Sequence, residues 1–412
     1  MRSPLRFCMI TTFYPPYNFG GDGIFVHRLS NELARLGHKV DVIHCRDSYR
    51  LLAHRAPAQT YTNHPNVTVH SLRSRFGALS PLVTQQTGSP LLKVDAIRAI
   101  LSSGFDVIHY HNISLIGGPK ILEYGRAIKL YTMHEYWLVC PMHTLFRFNR
   151  AACTHADCLL CSLMYGRPPQ WWRYTGLLKR AVRHVDAFMA PSRFCKDAHL
   201  RRGLDAPIIH LPLFVPAATS TPQPADASPE EAGHLPYFLF VGRLEKLKGL
   251  HTLLPVFQRY ARARLLIAGT GGDEQNLRRL AEGCNRIEFL GQQTAEQLRI
   301  LYREATAVVV PSICYETFSL AAIEAFQQQT PVVVRNQGAL PELIRESGGG
   351  LVYDTNEQLH AALDRLLDRP EERRRLGESG HDAYMRQWTA EAYMARYFGL
   401  IDELAARRPG PG

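Results

Sequence analysis

The sequence predicts a two-domain α/β protein in which each half is a doubly wound parallel sheet, and three observations lead there. Short apolar runs alternate with amphipathic helical stretches along almost the whole chain, the pattern of strand–helix–strand units with helices on both faces of a sheet. The alternation breaks once, at residues 216–234, which carry four prolines and no hydrophobic periodicity and so hold neither a helix nor a central strand. The length of 412 residues is too great for one ordinary core and suits a pair of domains of roughly 200 residues each.

In the first half, Phe7–Thr11 and Val40–His44 read as buried strands. Between them a helix places Phe25, Leu29, Leu33 and Leu36 on one face and stops at Gly37, where a left-handed C-cap is favoured. Asp106–His109 and Ile128–Met133 continue the strands. In the second half the strands are Tyr237–Val241, Leu265–Ala268, Ile287–Leu290, Ala307–Val310 and Val332–Val334. Thr294 and Gln297 stand at capping-box spacing before one of the intervening helices. The division expected is an N-terminal domain over 1–215, a linker over 216–234 and a second domain over 235–384. Ligands of such folds bind outside the carboxyl ends of the strands, so two such ends are expected to face each other across a cleft.

Composition excludes several classes. Hydrophobic residues make up 46% and charged residues 21% of the chain, as in a globular protein. No apolar run reaches the roughly 18 residues of a membrane span. The short apolar stretch after Met1 and Arg2 meets Thr11 and Tyr14-Pro15-Pro16 too early for a signal peptide. Nine cysteines, an odd number, argue against a disulfide framework and make the cytoplasm the expected compartment. The net charge of +11 suits an anionic substrate or membrane face. No nucleic-acid-binding signature accompanies it, so no nucleic-acid partner is expected.

The first candidate motif is Gly20-Gly21-Asp22-Gly23, between the first strand and its helix. Glycines there let backbone amides approach a phosphate at a helix N-terminus; a sharp turn explains them equally well. Val26 stands where a dinucleotide fingerprint needs its third glycine, which disfavours an NAD-dependent enzyme. Past the first strand of the second half comes Gly242-Arg243-Leu244-Glu245-Lys246-Leu247-Lys248-Gly249. Arg243, by a bidentate fork, and Lys248, as a point charge, can converge on a pyrophosphate, against the plainer reading of a solvated basic loop. The most specific stretch runs from Pro311 to Ala325. Ser319 is a candidate N-cap, Glu316 precedes the helix and Glu324 lies inside it. Backbone amides at Phe318, Ser319 and Leu320 would meet phosphates, and the two carboxylates suit paired hydroxyls of a sugar and a ribose.

Taken together, these residues resemble the retaining glycosyltransferases of family four, which have the GT-B architecture: two Rossmann-like doubly wound domains facing across a cleft. The resemblance spans nearly the whole chain and includes Ala268-Gly269-Thr270-Gly271 and Gly338-Ala339-Leu340-Pro341-Glu342. It implies that Gly20, Gly21, Arg243, Lys248, Phe318, Ser319, Leu320 and Glu324 bind a nucleotide-diphosphate sugar. It implies a catalytic role for His134, beside the reacting carbon, and for Glu316, on the transferred sugar. The residue after His134 is Glu135, where the family more often has Asp. The family also runs Trp388 and a following helix, here within 385–412, back to the N-terminal domain. A carbohydrate or lipid-linked glycan is the implied acceptor, and retention of anomeric configuration the implied outcome. A catalytically inactive nucleotide-sugar-binding partner protein is the alternative, disfavoured by the presence of His134, Arg243, Lys248 and Glu316. No Asp-x-Asp triplet occurs, so no catalytic metal is implied.

Two features lie outside that set. Cys140, Cys153, Cys158 and Cys161 fall within one short window and could hold a structural zinc, with an iron–sulfur cluster or plain reduced thiols as the alternatives. Residues 165–184 interleave Trp171, Trp172 and Tyr174 with Arg173, Lys179, Arg180 and Arg183, which suits peripheral attachment to an anionic membrane, expected at its inner face. The competing reading makes Trp171, Leu178 and Val182 the buried face of an ordinary helix.

Overall fold

Residues 3–53, 57, 60–217 and 235–408 are described by a computed structural model; most of the expected linker, residues 218–234, lies outside them. The chain divides into two units, residues 1–211 with 394–412, and Pro212–Tyr393.

The first unit is built around β1 (Arg6–Ile10), in which Phe7, Cys8, Met9 and Ile10 are all fully buried, as in a strand covered on both faces. Its partners are β2 (Lys39–Cys45), β3 (Val67–Leu72), β4 (Val107–Tyr110) and β5 (Ile128–Thr132). After a small hairpin of β6 (Phe146–Arg147) and β7 (Ala151–Ala152) come β8 (Ala187–Ala190) and β9 (Ile208–His210). The sheet order is β3-β2-β1-β4-β5-β8-β9, with every neighbouring pair parallel. Strand order reverses between β1 and β4, the switch point at which doubly wound sheets bind ligands.

The second unit repeats the plan with β10 (Tyr237–Val241), β11 (Arg264–Ala268), β12 (Ile287–Gly291), β13 (Ala307–Val310), β14 (Val332–Arg335) and β15 (Gly350–Tyr353). Their order is β12-β11-β10-β13-β14-β15, again all parallel. One core packs on each face of this sheet. Phe238, Phe240, Leu265 and Ile267 point to one side, and Tyr237, Leu239, Leu266 and Val308 to the other, the period-two alternation of a strand.

The helix Gly21–Arg35 buries Phe25, Leu29 and Leu33. Leu36, expected on the same face, is instead the C-cap and 43% exposed, because Gly37 at φ 91° turns the chain toward β2 there. The capping box at Thr294 and Gln297 is present in both directions. The helix Ala390–Ala406 buries Tyr397 and stacks it on Phe7 at 6.2 Å, while Phe398 lies against His38 at 5.1 Å, both within the first unit. Trp388 is fully buried within the second, stacked on Phe326 at 5.9 Å.

Candidate functional site

In the second unit the site is assembled by two glycines that a side chain could not replace. Gly249 has φ +75°, and a Cβ there would lie 1.9 Å from the carbonyl oxygen of Pro311. That approach presses the Lys246–Gly249 turn, which follows β10, against the loop that follows β13; Ile313 N–H donates to the Leu247 carbonyl across it at 3.0 Å. Gly338, with φ +63°, approaches from the other side, and its Cβ would meet Glu316 N at 2.7 Å. The Ala339 amide then donates to the Glu316 carbonyl at 3.1 Å. The Glu316 loop is thus held between the ends of β10 and β14.

Within this cradle Lys248 Nζ donates to Glu316 Oε1 at 2.6 Å, and Ser312 Oγ donates to the same oxygen at 2.6 Å. Burial disfavours the ammonium charge of Lys248, but the Glu316 carboxylate outweighs it and the Lys248 pKa is raised. The ammonium is therefore held charged, and the pair is poised to exchange part of this contact for a substrate. Beside them the buried Cys314 thiol is pushed up to about 12 by desolvation and by Glu316, so it stays protonated. Arg243 behaves differently: its side chain is 47% exposed and pairs with Glu245 at 2.7 Å.

Ser319 caps the helix Leu320–Gln327 by accepting from Ala322 N–H at 3.4 Å. The first amides of that helix, reached from β13 through residues 311–319, have no acceptor within it. Glu324 lies one turn inside, half-buried, and accepts from the Tyr302 hydroxyl at 3.0 Å.

In the first unit, Gly20 and Gly21 open the first helix, yet the steric demand falls on Gly23, whose Cβ would sit 2.3 Å from Asn18 Oδ1. Asp22 accepts from Asn112 Nδ2 at 3.4 Å. His134, just past β5, is half-buried. Burial lowers its pKa to about 4, with the Asp22 carboxylate acting in the opposite direction, so the imidazole is neutral near pH 7. His111 Nδ1 is 3.0 Å from His134 Nε2, and the His109 ring packs at a tilt beside His111 with centroids 4.0 Å apart.

Sequence reasoning missed His111, Asp22, Asn112 and Ser312. A signal did exist for His111: His109-Tyr110-His111-Asn112 closes a strand of a parallel sheet, where ligand-binding residues gather.

The four cysteines line one small cavity together with His155 and Asp157. Cys161 Sγ accepts the Phe148 amide at 3.4 Å, and all four thiols are free. Among the described residues, however, no group of three or more His, Cys, Asp or Glu is placed as metal ligands. Burial and the neighbouring sulfurs raise the pKa of Cys158.

The basic aromatic segment divides between its two expected roles. Trp171 and Tyr174 are 61% and 62% exposed, whereas Trp172 and Val182 are buried. Arg173 turns inward, with Nη2 donating to the Trp137 carbonyl at 2.7 Å and the guanidinium over the Trp172 ring at 4.6 Å. It is not a surface cation. The helix Cys158–Met164 directs Leu159, Leu160, Leu163 and Met164 outward. Among the described residues no helix is long and apolar enough to cross a membrane.

Comparison with known proteins places this arrangement. The family model described as Glycosyltransferase Family 4 matches residues 19–218, and that described as Glycosyl transferases group 1 matches 224–383. The MMP alpha-(1->4)-mannosyltransferase of Mycolicibacterium hassiacum is 26% identical over 419 aligned positions, covering 94% of this chain and 96% of the relative. A glycogen synthase of Mycobacterium tuberculosis is 26% identical and covers 99% of this chain and 97% of the relative. Among solved structures, the sucrose-phosphate synthase of Thermosynechococcus elongatus superposes with a TM-score of 0.73 at 21% identity, over 98% of this chain and 100% of that one. The Anabaena protein HepE, solved in complex with UDP-glucose, gives 0.68 at 15% identity over 97% and 100%. Two family models in chain order, one on each unit, account for nearly all of the sequence: the chain belongs to the family-four glycosyltransferases with the GT-B fold.

Proposed function

We propose that this glycosyltransferase takes a hexose from a nucleotide-diphosphate sugar and transfers it, with retention of anomeric configuration, to a carbohydrate or lipid-linked glycan. The observation that carries the reading is the Lys248–Glu316 pair at 2.6 Å, set beside the open amides of the helix Leu320–Gln327. A cation and a helix N-terminus suit a diphosphate, and the adjoining carboxylate suits sugar hydroxyls. In the step proposed, the bond from the anomeric carbon to the diphosphate oxygen breaks and the electron pair leaves with the diphosphate. Lys248, Arg243 and the amides of Phe318, Ser319 and Leu320 stabilise that charge, and such preorganised donors are usually the largest catalytic contribution. The acceptor hydroxyl bonds to the anomeric carbon and its proton passes to the departing oxygen. Glu316 orients the transferred sugar, Glu324 holds the ribose, Gly20 and Gly21 let the backbone approach the donor, and His134 positions the sugar at the reacting face. The relatives' names and the UDP-glucose bound by HepE support a nucleotide-sugar donor. A screen of UDP-, GDP- and ADP-sugars, read as release of nucleoside diphosphate in the presence of glycan acceptors, tests the reading. No turnover with any donor, and no binding of any nucleoside diphosphate, would overturn it.

Two accessory features belong to the same proposal. The outward Leu159, Leu160, Leu163, Met164, Trp171 and Tyr174, with Lys179, Arg180 and Arg183 exposed nearby in sequence, form an interfacial surface for an anionic membrane. Each cation near such a surface contributes about 1 kcal/mol. Co-sedimentation with anionic vesicles is therefore expected at low salt and lost at high salt. It should weaken when Lys179, Arg180 and Arg183 are neutralised, and no pelleting at low salt would remove the membrane role.

Cys140, Cys153, Cys158 and Cys161, which line one cavity, would hold a structural zinc as thiolates, with the Phe148 amide hydrogen-bonded to the Cys161 sulfur. Tag-free protein is expected to carry about one zinc per chain and to lose stability on chelation, since metal binding contributes to folding. Metal-free protein with all four thiols rapidly alkylated in the native state would show a plain thiol pocket instead.

A further inference from the structure

We propose that His111 is a positioning residue for His134: it donates from Nδ1 to His134 Nε2 and thereby fixes the His134 proton on Nδ1. The inference rests on the reading of His134 as the residue beside the reacting sugar. Across the 3.0 Å contact between His111 Nδ1 and His134 Nε2, two neutral rings share one proton. One nitrogen donates and the other accepts.

The other edge of His111 decides which. His111 is 1% exposed, and its Nε2 is buried without a hydrogen-bond partner. A proton on that nitrogen would make it an orphaned buried N–H, the rarer kind of unsatisfied group. The proton of His111 therefore sits on Nδ1, its bare Nε2 is the unpaired atom, and His134 Nε2 accepts. A neutral His134 must then carry its own hydrogen on Nδ1. Burial holds both rings neutral near pH 7, since it keeps each pKa well below the ordinary histidine range.

His109 cannot take this role, because both of its nitrogens are engaged. Nδ1 faces the Tyr397 hydroxyl at 3.1 Å, and Nε2 faces Thr132 Oγ1 at 2.8 Å. Anchored at both edges, it packs against the His111 ring with centroids 4.0 Å apart and planes tilted by 36°. Phe25 packs against the His134 ring at 5.4 Å and meets the His111 ring edge-on at 6.4 Å. The hydrogen bond from His111 leaves a neutral His134 one tautomer. It presents an N–H donor to a sugar oxygen, where the other tautomer would present a lone pair.

Nitrogen NMR of the full chain labelled at histidine reads the tautomer directly, with the His134 signals identified by their loss in His134→Ala. His134 of the wild type is expected to show a protonated Nδ1 and a bare Nε2. In His111→Phe the tautomers should mix, and kcat should fall about tenfold while the donor KM stays within about twofold, the effect of one lost orienting hydrogen bond. His111→Asn, whose amide offers an N–H near the original Nδ1, should restore the single tautomer and most of kcat. A wild-type His134 protonated on Nε2 overturns the proposal. So does a folded His111→Phe that keeps both the tautomer and kcat. Should His134→Ala leave kcat unchanged, the reading of His134 is what fails, and the tautomer spectra still decide the hydrogen bond to His111.

Discussion

Lys248→Ala is expected to reduce kcat/KM for the sugar donor roughly a hundredfold. Loss of a charge-assisted contact to the diphosphate removes about 1.5–3 kcal/mol, a factor of ten to more than a hundred. The geometry places this variant toward the upper end. Lys248 is also the partner of Glu316, whose side chain is 13% exposed, so its removal takes the cation from a poorly hydrated carboxylate that also accepts from the Ser312 hydroxyl. Arg243→Ala should cost less, about tenfold, because its guanidinium is 47% exposed and already tied to Glu245. Glu316→Gln should lower kcat while preserving the fold. In a double-mutant cycle, Lys248→Ala and Glu316→Gln should combine to less than the product of their separate effects, since each disrupts the same pair. Steady-state kinetics on folded variants check this ordering. Equal effects at Arg243 and Lys248, or full additivity of the cycle, would detach Lys248 from the role assigned to it.

Acidification is expected to unfold the first unit ahead of the second. His44, His109, His111 and His199 are all buried in the first unit. Burial holds His44 and His199 at about 4, against an ordinary value of 6.5, and His109 and His111 well below that value. Each is neutral in the fold and free to take up a proton once unfolded. The stability contributed by keeping them neutral is thus complete above about pH 6.5. It is lost progressively as pH falls toward 4, because the unfolded chain gains protons that the folded chain cannot. For His44 and His199 the loss approaches about 3 kcal/mol each at the acid end. That is a large share of the 5–15 kcal/mol by which a domain is ordinarily stable. Hydrogen exchange resolved along the sequence at pH 7.5 and 5.0 should show protection lost in β1, β2, β4 and β5 while β10, β11 and β13 keep theirs. Uniform loss across both units would refute this account.

The sequence by itself determined the fold class, because a parallel sheet covered on both faces demands continuous apolar strands. Phe7–Thr11, Tyr237–Val241 and Ala307–Val310 differ from the observed strands by no more than a residue at either end. It passed over β3, β9 and β15, which lie at sheet edges. Such strands need be apolar on neither face, as β3 shows with Thr68, His70 and Ser71 among its residues. It also passed over β8, a four-residue strand that begins and ends in alanine. Gly249 and Gly338 were legible as motif members, but not as the two close approaches that hold the Glu316 loop. Those depend on Pro311 and Glu316 arriving from other strands.

The same limit applied to charge and to burial. The sequence offered Arg243 and Lys248 as equals; tertiary structure tied one to Glu245 at the surface and seated the other on Glu316. It offered Arg173 as a surface cation, and packing turned it inward onto Trp137 and Trp172. Periodicity records which residues prefer to leave water. Which histidine meets which, as His111 meets His134 from the ends of two different strands, is settled only when the sheet brings those ends together.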